Sequence, residues 1–215
     1  MKTVIIGRAG TGKTYTLMKK LEELDPRRTI YISFTRSAIH EARKRAREKF
    51  GLEDKEIKYF RTIHSICSRL LNIKKEDILS EGEIKEFFKN NYGVIYKNQM
   101  ELRDLLEKDN EFNIQFDERL PDGNKLIFLI EHIQHTTKKS IADMDDLELK
   151  LKIFDFIDTC GKFDSLYLQF TENIIKVIRD FVRFKGKKLY YSDILLEFIK
   201  NPTIPEEIEY LIVDE

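Results

Sequence analysis

Apolar residues follow two regimes along this 215-residue chain. In the first third, short apolar runs alternate with segments of helical period. Residues 2–6 (KTVII) set four β-branched side chains in a row, as a buried parallel strand requires. A helix is expected over 13–24, with Leu17, Leu21 and Leu24 on one face, then a strand over 28–34 (RTIYISF) and a helix over 37–49. A strand over 56–60 and a helix over 62–72 complete the series. Strands alternating with helices at this spacing predict an α/β fold with a parallel sheet covered on both faces. After about residue 73 the alternation stops. Helix-length periodic stretches follow at 84–90, 100–108, 147–157 and 170–184, with a weak strand or turn signal at 91–95. Asp122-Gly123-Asn124 and Cys160-Gly161-Lys162 read as turns between helices. The strand alphabet returns only at 209–213. The pattern thus predicts one α/β domain built from 1–73 and 187–215, interrupted by a mainly α-helical insertion subdomain over 74–186.

Composition narrows the class. Charged residues make up 35% of the chain, mean hydropathy is −0.44, and no apolar run approaches the ~20 residues of a membrane span. The N-terminus leads straight into a strand, with no signal-peptide pattern. Cys67 and Cys160 lack metal-ligand or disulfide spacing and read as free thiols of a cytoplasmic protein. The balance of 38 basic against 38 acidic residues conceals a division. Residues 1–70 hold 17 Lys/Arg against 8 Asp/Glu, and residues 71–215 hold 21 against 30. A basic first third suggests a polyanionic partner. Solvated helix surface is the plainer reading for Arg43, Lys44, Arg45, Arg47 and Lys49 taken alone. A second basic patch, Arg183-Phe184-Lys185-Gly186-Lys187-Lys188, lies in the acidic remainder.

The chemistry concentrates at 7–14 (GRAGTGKT), which matches G-x-x-x-x-G-K-[ST] at every fixed position. Gly7, Gly10 and Gly12 let successive backbone N–H groups turn toward a phosphate, and Ala9 and Thr11 complete the loop. Lys13 supplies a point charge for the β- and γ-phosphates, and the Thr14 hydroxyl is placed to ligate Mg²⁺. The following helix adds its N-terminal dipole. At the other end, 210–215 (YLIVDE) is an apolar strand closing on two carboxylates, Asp214 and Glu215. The pair fits a site for a nucleoside triphosphate with Mg²⁺.

Two further segments choose among P-loop classes. Residues 32–43 (ISFTRSAIHEAR) and 61–71 (RTIHSICSRLL) resemble motifs Ia (T-F-T-N-K-A-A-x-E-M) and Ib (G-T-[FI]-H-S-x-C-x-R-[IL]-L) of superfamily 1 helicases of the UvrD/Rep/PcrA type. Residues 7–14 resemble their motif I, 211–215 the first half of motif II, and 190–195 (YYSDIL) the D-[FY]-x-D-L-L segment before motif II. The order of motifs and the long helical insertion also fit, as domains 1A and 1B of that family.

The resemblance implies an ATP- and Mg²⁺-dependent DNA helicase, acting 3′→5′ on single-stranded or partly duplex DNA. Nucleotide-binding residues would be Gly7, Ala9, Gly10, Thr11, Gly12, Lys13, Thr14 and Tyr15. Lys13 and Glu215 would be catalytic, the latter orienting or deprotonating the attacking water, and Thr14 and Asp214 would serve Mg²⁺. Phe34, Thr35, Arg36, Thr62, His64 and Ser65 would face DNA. Phe34 admits a stacking role, tolerant of sequence because every base has a π-face, or a core position under the helix. His64 likewise admits a phosphate contact or a packed position. There are departures from the family pattern. Tyr15 replaces the usual arginine, Arg36-Ser37 replaces Asn-Lys, and the glutamine ahead of the P-loop that reads adenine is absent. The second RecA-like domain is expected as a missing partner, so little turnover is expected from 1–215 alone. A RecD-like 5′→3′ helicase and a non-catalytic nucleotide-gated nucleic-acid-binding module remain the alternatives.

Overall fold

The computed structural model describes residues 12–106, 120–160 and 164–214. The expected first strand, most of the glycine loop, the Gly161-Lys162 turn and Glu215 lie outside them. The chain divides into two compact units. One comprises Met1–Ile73 with Phe198–Glu215, and the other Lys74–Glu197.

The first unit is built on three parallel strands, β1 (Thr29–Ser33), β2 (Phe60–Thr62) and β3 (Tyr210–Asp214), in the order β2-β1-β3. β1 is central because its alternate residues are apolar on both faces: Ile30 and Tyr31 are each buried, on opposite sides. Helices α1 (Lys13–Leu21), α2 (Arg36–Phe50) and α3 (Ile63–Leu70) follow the P-loop segment, β1 and β2. Met18 and Leu21 of α1 and Ile39, Ala42 and Ala46 of α2 pack with Tyr31, Phe60 and Ile212 into one core. The two alanines keep that face of α2 smooth against the sheet. Thr35 caps α2, its Oγ1 accepting from the Ala38 amide at 3.2 Å, and Gly51 ends the helix in the left-handed region at φ 64°.

β2 starts later than the 56–60 the apolar run predicts. Residues 53–59 form a turn instead. The Glu56 carboxylate accepts from the Glu53 amide at 2.8 Å and pairs with Arg27, and the Phe60 amide donates to the Ile57 carbonyl. Ile57 and Tyr59 are buried from that turn rather than from a ladder.

The second unit is helical: α4 (Glu81–Tyr92), α5 (Gln99–Leu106), α6 (Asp122–Thr137), α7 (Asp146–Cys160), α8 (Asp164–Lys185) and the first part of α9 (Tyr191–Lys200). Its core holds Ile84, Phe87, Phe88, Leu129, Ile133, Phe156, Ile178 and Phe181, with Phe88 stacked on Phe181 at 6.0 Å. Asp122-Gly123-Asn124 is the first turn of α6, not a link between helices. Asn124 clasps the backbone of Lys97 with two hydrogen bonds of 2.9 and 2.8 Å, and the Gly123 amide donates to the Ile95 carbonyl. A Cβ on Gly123 would stand 2.8 Å from that carbonyl oxygen, so only glycine permits the approach. Segment 91–95 is no strand: Asn91 and Tyr92 finish α4, Gly93 ends it in the left-handed region, and irregular chain follows.

The unit runs to Glu197 because the start of α9 is tied into it. Asp193 is buried and accepts from the Lys185 ammonium at 2.5 Å, from Gln134 Nε2 at 2.8 Å and from the Tyr190 amide at 2.8 Å. Ser192 donates to Gln134 Oε1 at 2.7 Å.

Candidate nucleotide and nucleic-acid site

The site is assembled at the C-terminal edge of the sheet. β1 and β2 pair Ser33 with Thr62, and β1 and β3 pair Ser33 with Asp214. One row across the strands therefore carries the ends of three segments that lie far apart in sequence. Ligand sites of open parallel sheets occur at that edge, where strands give way to loops and helix N-termini.

Asp214 is 3% exposed, and its Oδ2 accepts a 2.7 Å hydrogen bond from the Tyr31 hydroxyl. Burial, and then the Asp214 carboxylate, push that phenol far above the usual tyrosine range, so it stays protonated and donates. At the head of α1, Gly12 adopts φ 80°, ψ 22°, which its missing Cβ allows, and its carbonyl accepts from the amide and hydroxyl of Thr16. Lys13 and Thr14 open the helix, with their side chains outside the described set; Tyr15 is 67% exposed. Gly7, Ala9, Gly10, Thr11 and Glu215 also lie outside it.

Beyond the row, Phe34, Thr35 and Arg36 are exposed, with Phe34 at 64%. The core reading of Phe34 therefore fails; the chain turns outward into the α2 cap and takes the ring into solvent. Thr62 stands at the head of α3 with no side-chain capping bond, and His64 is half-buried. Ser65 is engaged internally, its hydroxyl accepting from Arg61 Nη1 at 3.0 Å.

Sequence reasoning missed three arginines here. On the surrounding surface, several basic residues have acidic partners: Arg45 with Glu41 at 2.7 Å, Arg47 with Asp54 at 3.0 Å, and Arg28 with Glu209. Arg43, Arg61 and Arg69 take part in no ion pair among the described residues. Arg61 Nε donates to the Lys58 carbonyl, and Arg43 Nε is buried with no hydrogen-bond partner in the described set. Burial, then the neighbouring charges of Arg69 and Arg43, hold the Arg61 guanidinium below its usual pKa. Arg69 stands at the fixed arginine of the motif Ib pattern, while no spacing signal in the sequence distinguishes Arg43 and Arg61 from their paired neighbours. Cys67 is buried, and burial raises its thiol pKa, as for a packing residue.

A family model described as UvrD/REP helicase N-terminal domain matches residues 1–215. The chain belongs to that family. No curated protein and no solved structure matches it. Membership points to a helicase-type ATP-binding region, and helicase and ATPase activity on DNA are what the family implies. The mixed α/β architecture with a small parallel sheet is compatible with a P-loop NTPase-like domain. No helix among the described residues is long and apolar enough to cross a membrane.

UvrD-like helicases in general use ATP with Mg²⁺, and the donor set fits that ion. Magnesium takes one or two carboxylates plus phosphate oxygens rather than an all-protein cage. Among the described residues no group of three or more His, Cys, Asp or Glu could hold a metal, while Asp214 offers a buried carboxylate at the strand end.

Proposed function

We propose that residues 1–215 form the ATP- and Mg²⁺-binding portion of a 3′→5′ DNA translocase, with single-stranded nucleic acid crossing the C-terminal edge of the sheet. The observation that carries this reading is the register row Ser33, Thr62 and Asp214, which joins the ends of the three motif-bearing strands. In this reading Gly7 to Tyr15 enclose the nucleotide, Lys13 meets its terminal phosphates, Thr14 and Asp214 serve the ion, and Glu215 acts on the attacking water. The Lys74–Glu197 unit is the helical insertion, and its length supports the UvrD-type polarity over the RecD-like one.

DNA lies over Phe34, Thr35, Arg36, Thr62 and His64. Phe34 offers an exposed ring for stacking, and the hydroxyls and imidazole serve phosphate oxygens. Ser65 contributes through Arg61, which it holds, and the unpaired Arg43, Arg61 and Arg69 supply positive charge beside the track.

Calorimetric titration with ADP and Mg²⁺ tests the nucleotide half. A charge-assisted contact contributes about 1.5–3 kcal/mol, so Lys13→Ala is expected to weaken binding roughly 10- to 100-fold. Equal affinity in the two proteins would overturn the reading. Anisotropy of a labelled oligonucleotide tests the other half: Arg36→Ala and His64→Ala should each weaken binding at low salt.

A further inference from the structure

We propose that Tyr31 is a positioning residue for Asp214, its hydroxyl fixing the direction in which that carboxylate meets Mg²⁺ bound with nucleotide. The inference rests on the assignment of Asp214 to the ion.

Residues on adjacent parallel strands explain the geometry. Tyr31 is paired with Ile212 and Ser33 with Asp214, so the tyrosine starts two residues below the row, about 6–7 Å along the strand. Tyr31, Ser33, Ile212 and Asp214 are all buried, whereas Leu211 and Val213, which point the other way, are 62% and 49% exposed. The phenol thus lies on the covered face and spans the two-residue gap, bringing its oxygen to 2.7 Å from Asp214 Oδ2. A shorter hydroxyl at position 31 would not reach.

The ring is itself immobilised. It stacks on Phe60 of β2 with centroids 5.1 Å apart and 22° between planes, inside the core that α1 and α2 complete. An aliphatic side chain would satisfy the packing of a strand reading T-I-Y-I-S. The phenol adds a donor aimed at a carboxylate. A hydroxyl-to-carboxylate bond is charge-assisted and directional, and it restricts rotation of the acid about its own side-chain torsions. Magnesium demands near-ideal octahedral geometry, so a carboxylate oriented by a fixed donor meets it with less reorganisation than a free rotor. Partners that orient a metal ligand are worth about 10–100-fold in metal affinity.

Satisfying a buried acid is also a purely structural task, and the experiment separates the two. Binding of a fluorescent ADP analogue is followed while Mg²⁺ is titrated, for the wild-type chain, Tyr31→Phe, Asp214→Asn and the double variant, with thermal unfolding measured in parallel. Tyr31→Phe should raise the Mg²⁺ concentration for half-maximal effect about tenfold, leave nucleotide binding without Mg²⁺ unchanged, and add nothing once Asp214 is asparagine. If Tyr31→Phe lowers thermal stability while its Mg²⁺ dependence matches wild type, the role is structural and the proposal is overturned. If Asp214→Asn itself leaves the Mg²⁺ dependence unchanged, the assignment of Asp214 has failed instead. Should Tyr31→Phe not fold, Phe60→Leu keeps both hydrogen-bonding groups but removes the stacked ring. It should then shift the Mg²⁺ titration in the same direction, and no shift would overturn the proposal.

Discussion

A phenylalanine with 64% of its surface in water, beside a buried serine and a capping threonine, has no packing reason to be where it is. Phe34 is the residue through which the nucleic-acid reading is most exposed to test. Stacking of one base on an aromatic ring contributes about 1–3 kcal/mol, so Phe34→Ala should weaken single-strand binding by roughly 5- to 150-fold. An exposed ring contributes little to folding, so stability should change by no more than about 0.5 kcal/mol. Anisotropy and thermal unfolding on the same preparation check both halves, and an unchanged affinity would remove Phe34 from the track. The sequence made this residue legible only as part of S-F-T-R-S-A, where its type and neighbours matched a motif. Tyr31 sits three residues earlier and was not legible. Its role depends on a hydrogen bond to Asp214, 183 positions away, and an aromatic within an apolar strand looks like any core residue. Arg43 and Arg61 were hidden for the same reason: pairing is decided by tertiary neighbours that composition cannot supply.

Elements were legible by period at their centres and not at their ends. The stretch at 84–90 lies inside α4, whose start at Ser80 the period did not mark. Ser80 Oγ accepts from the Glu83 amide while Glu83 Oε2 accepts from the Ser80 amide at 3.0 Å, a reciprocal cap ahead of Ile84, Phe87 and Phe88. Lys188 also pairs with Glu83 at 2.6 Å, and with Lys185 bound to Asp193 and Arg183 to Asp180, three of the charges in the basic run at 183–188 are matched locally. The Lys188 ammonium, then the Ser80 amide and hydroxyl, pull the Glu83 carboxyl from 4.5 down to about 2. A folded value below the unfolded one gives stability that is present above about pH 4.5 and lost as pH falls toward 2. Acid unfolding of Glu83→Gln should therefore be less steep across that window than that of wild type, and identical slopes would remove Glu83 from the account. Ser80→Ala should cost about 1 kcal/mol at neutral pH, read by urea unfolding. Failures of the sequence reading at this scale share a cause. Local propensity alone points to a turn at Asp122-Gly123-Asn124 and a strand at 56–60, whereas contacts with Ile95, Lys97 and Arg27 decide their conformation.

At the scale of the molecule, the change of pattern near residue 73 corresponds to two sets of buried residues with no member in common. One runs from Met18 to Ile212 and contains the sheet, and the other runs from Leu79 to Tyr190 and is mainly helical. If the helical unit is an independent subdomain, its core should lose stability without the other. Phe88 is fully buried in the helical core, between the rings of Phe181 and Tyr96. Its replacement by alanine leaves a cavity costing about 3–5 kcal/mol. Amide hydrogen exchange resolved by peptide reports opening free energies region by region. In Phe88→Ala, peptides from 74–197 should exchange far faster, those from 29–73 should match wild type, and ADP affinity in the presence of Mg²⁺ should be retained. Protection lost equally in both sets of peptides would mean that the two cores unfold as one cooperative unit, and the helical insertion would then be part of the nucleotide-binding domain rather than a guest within it.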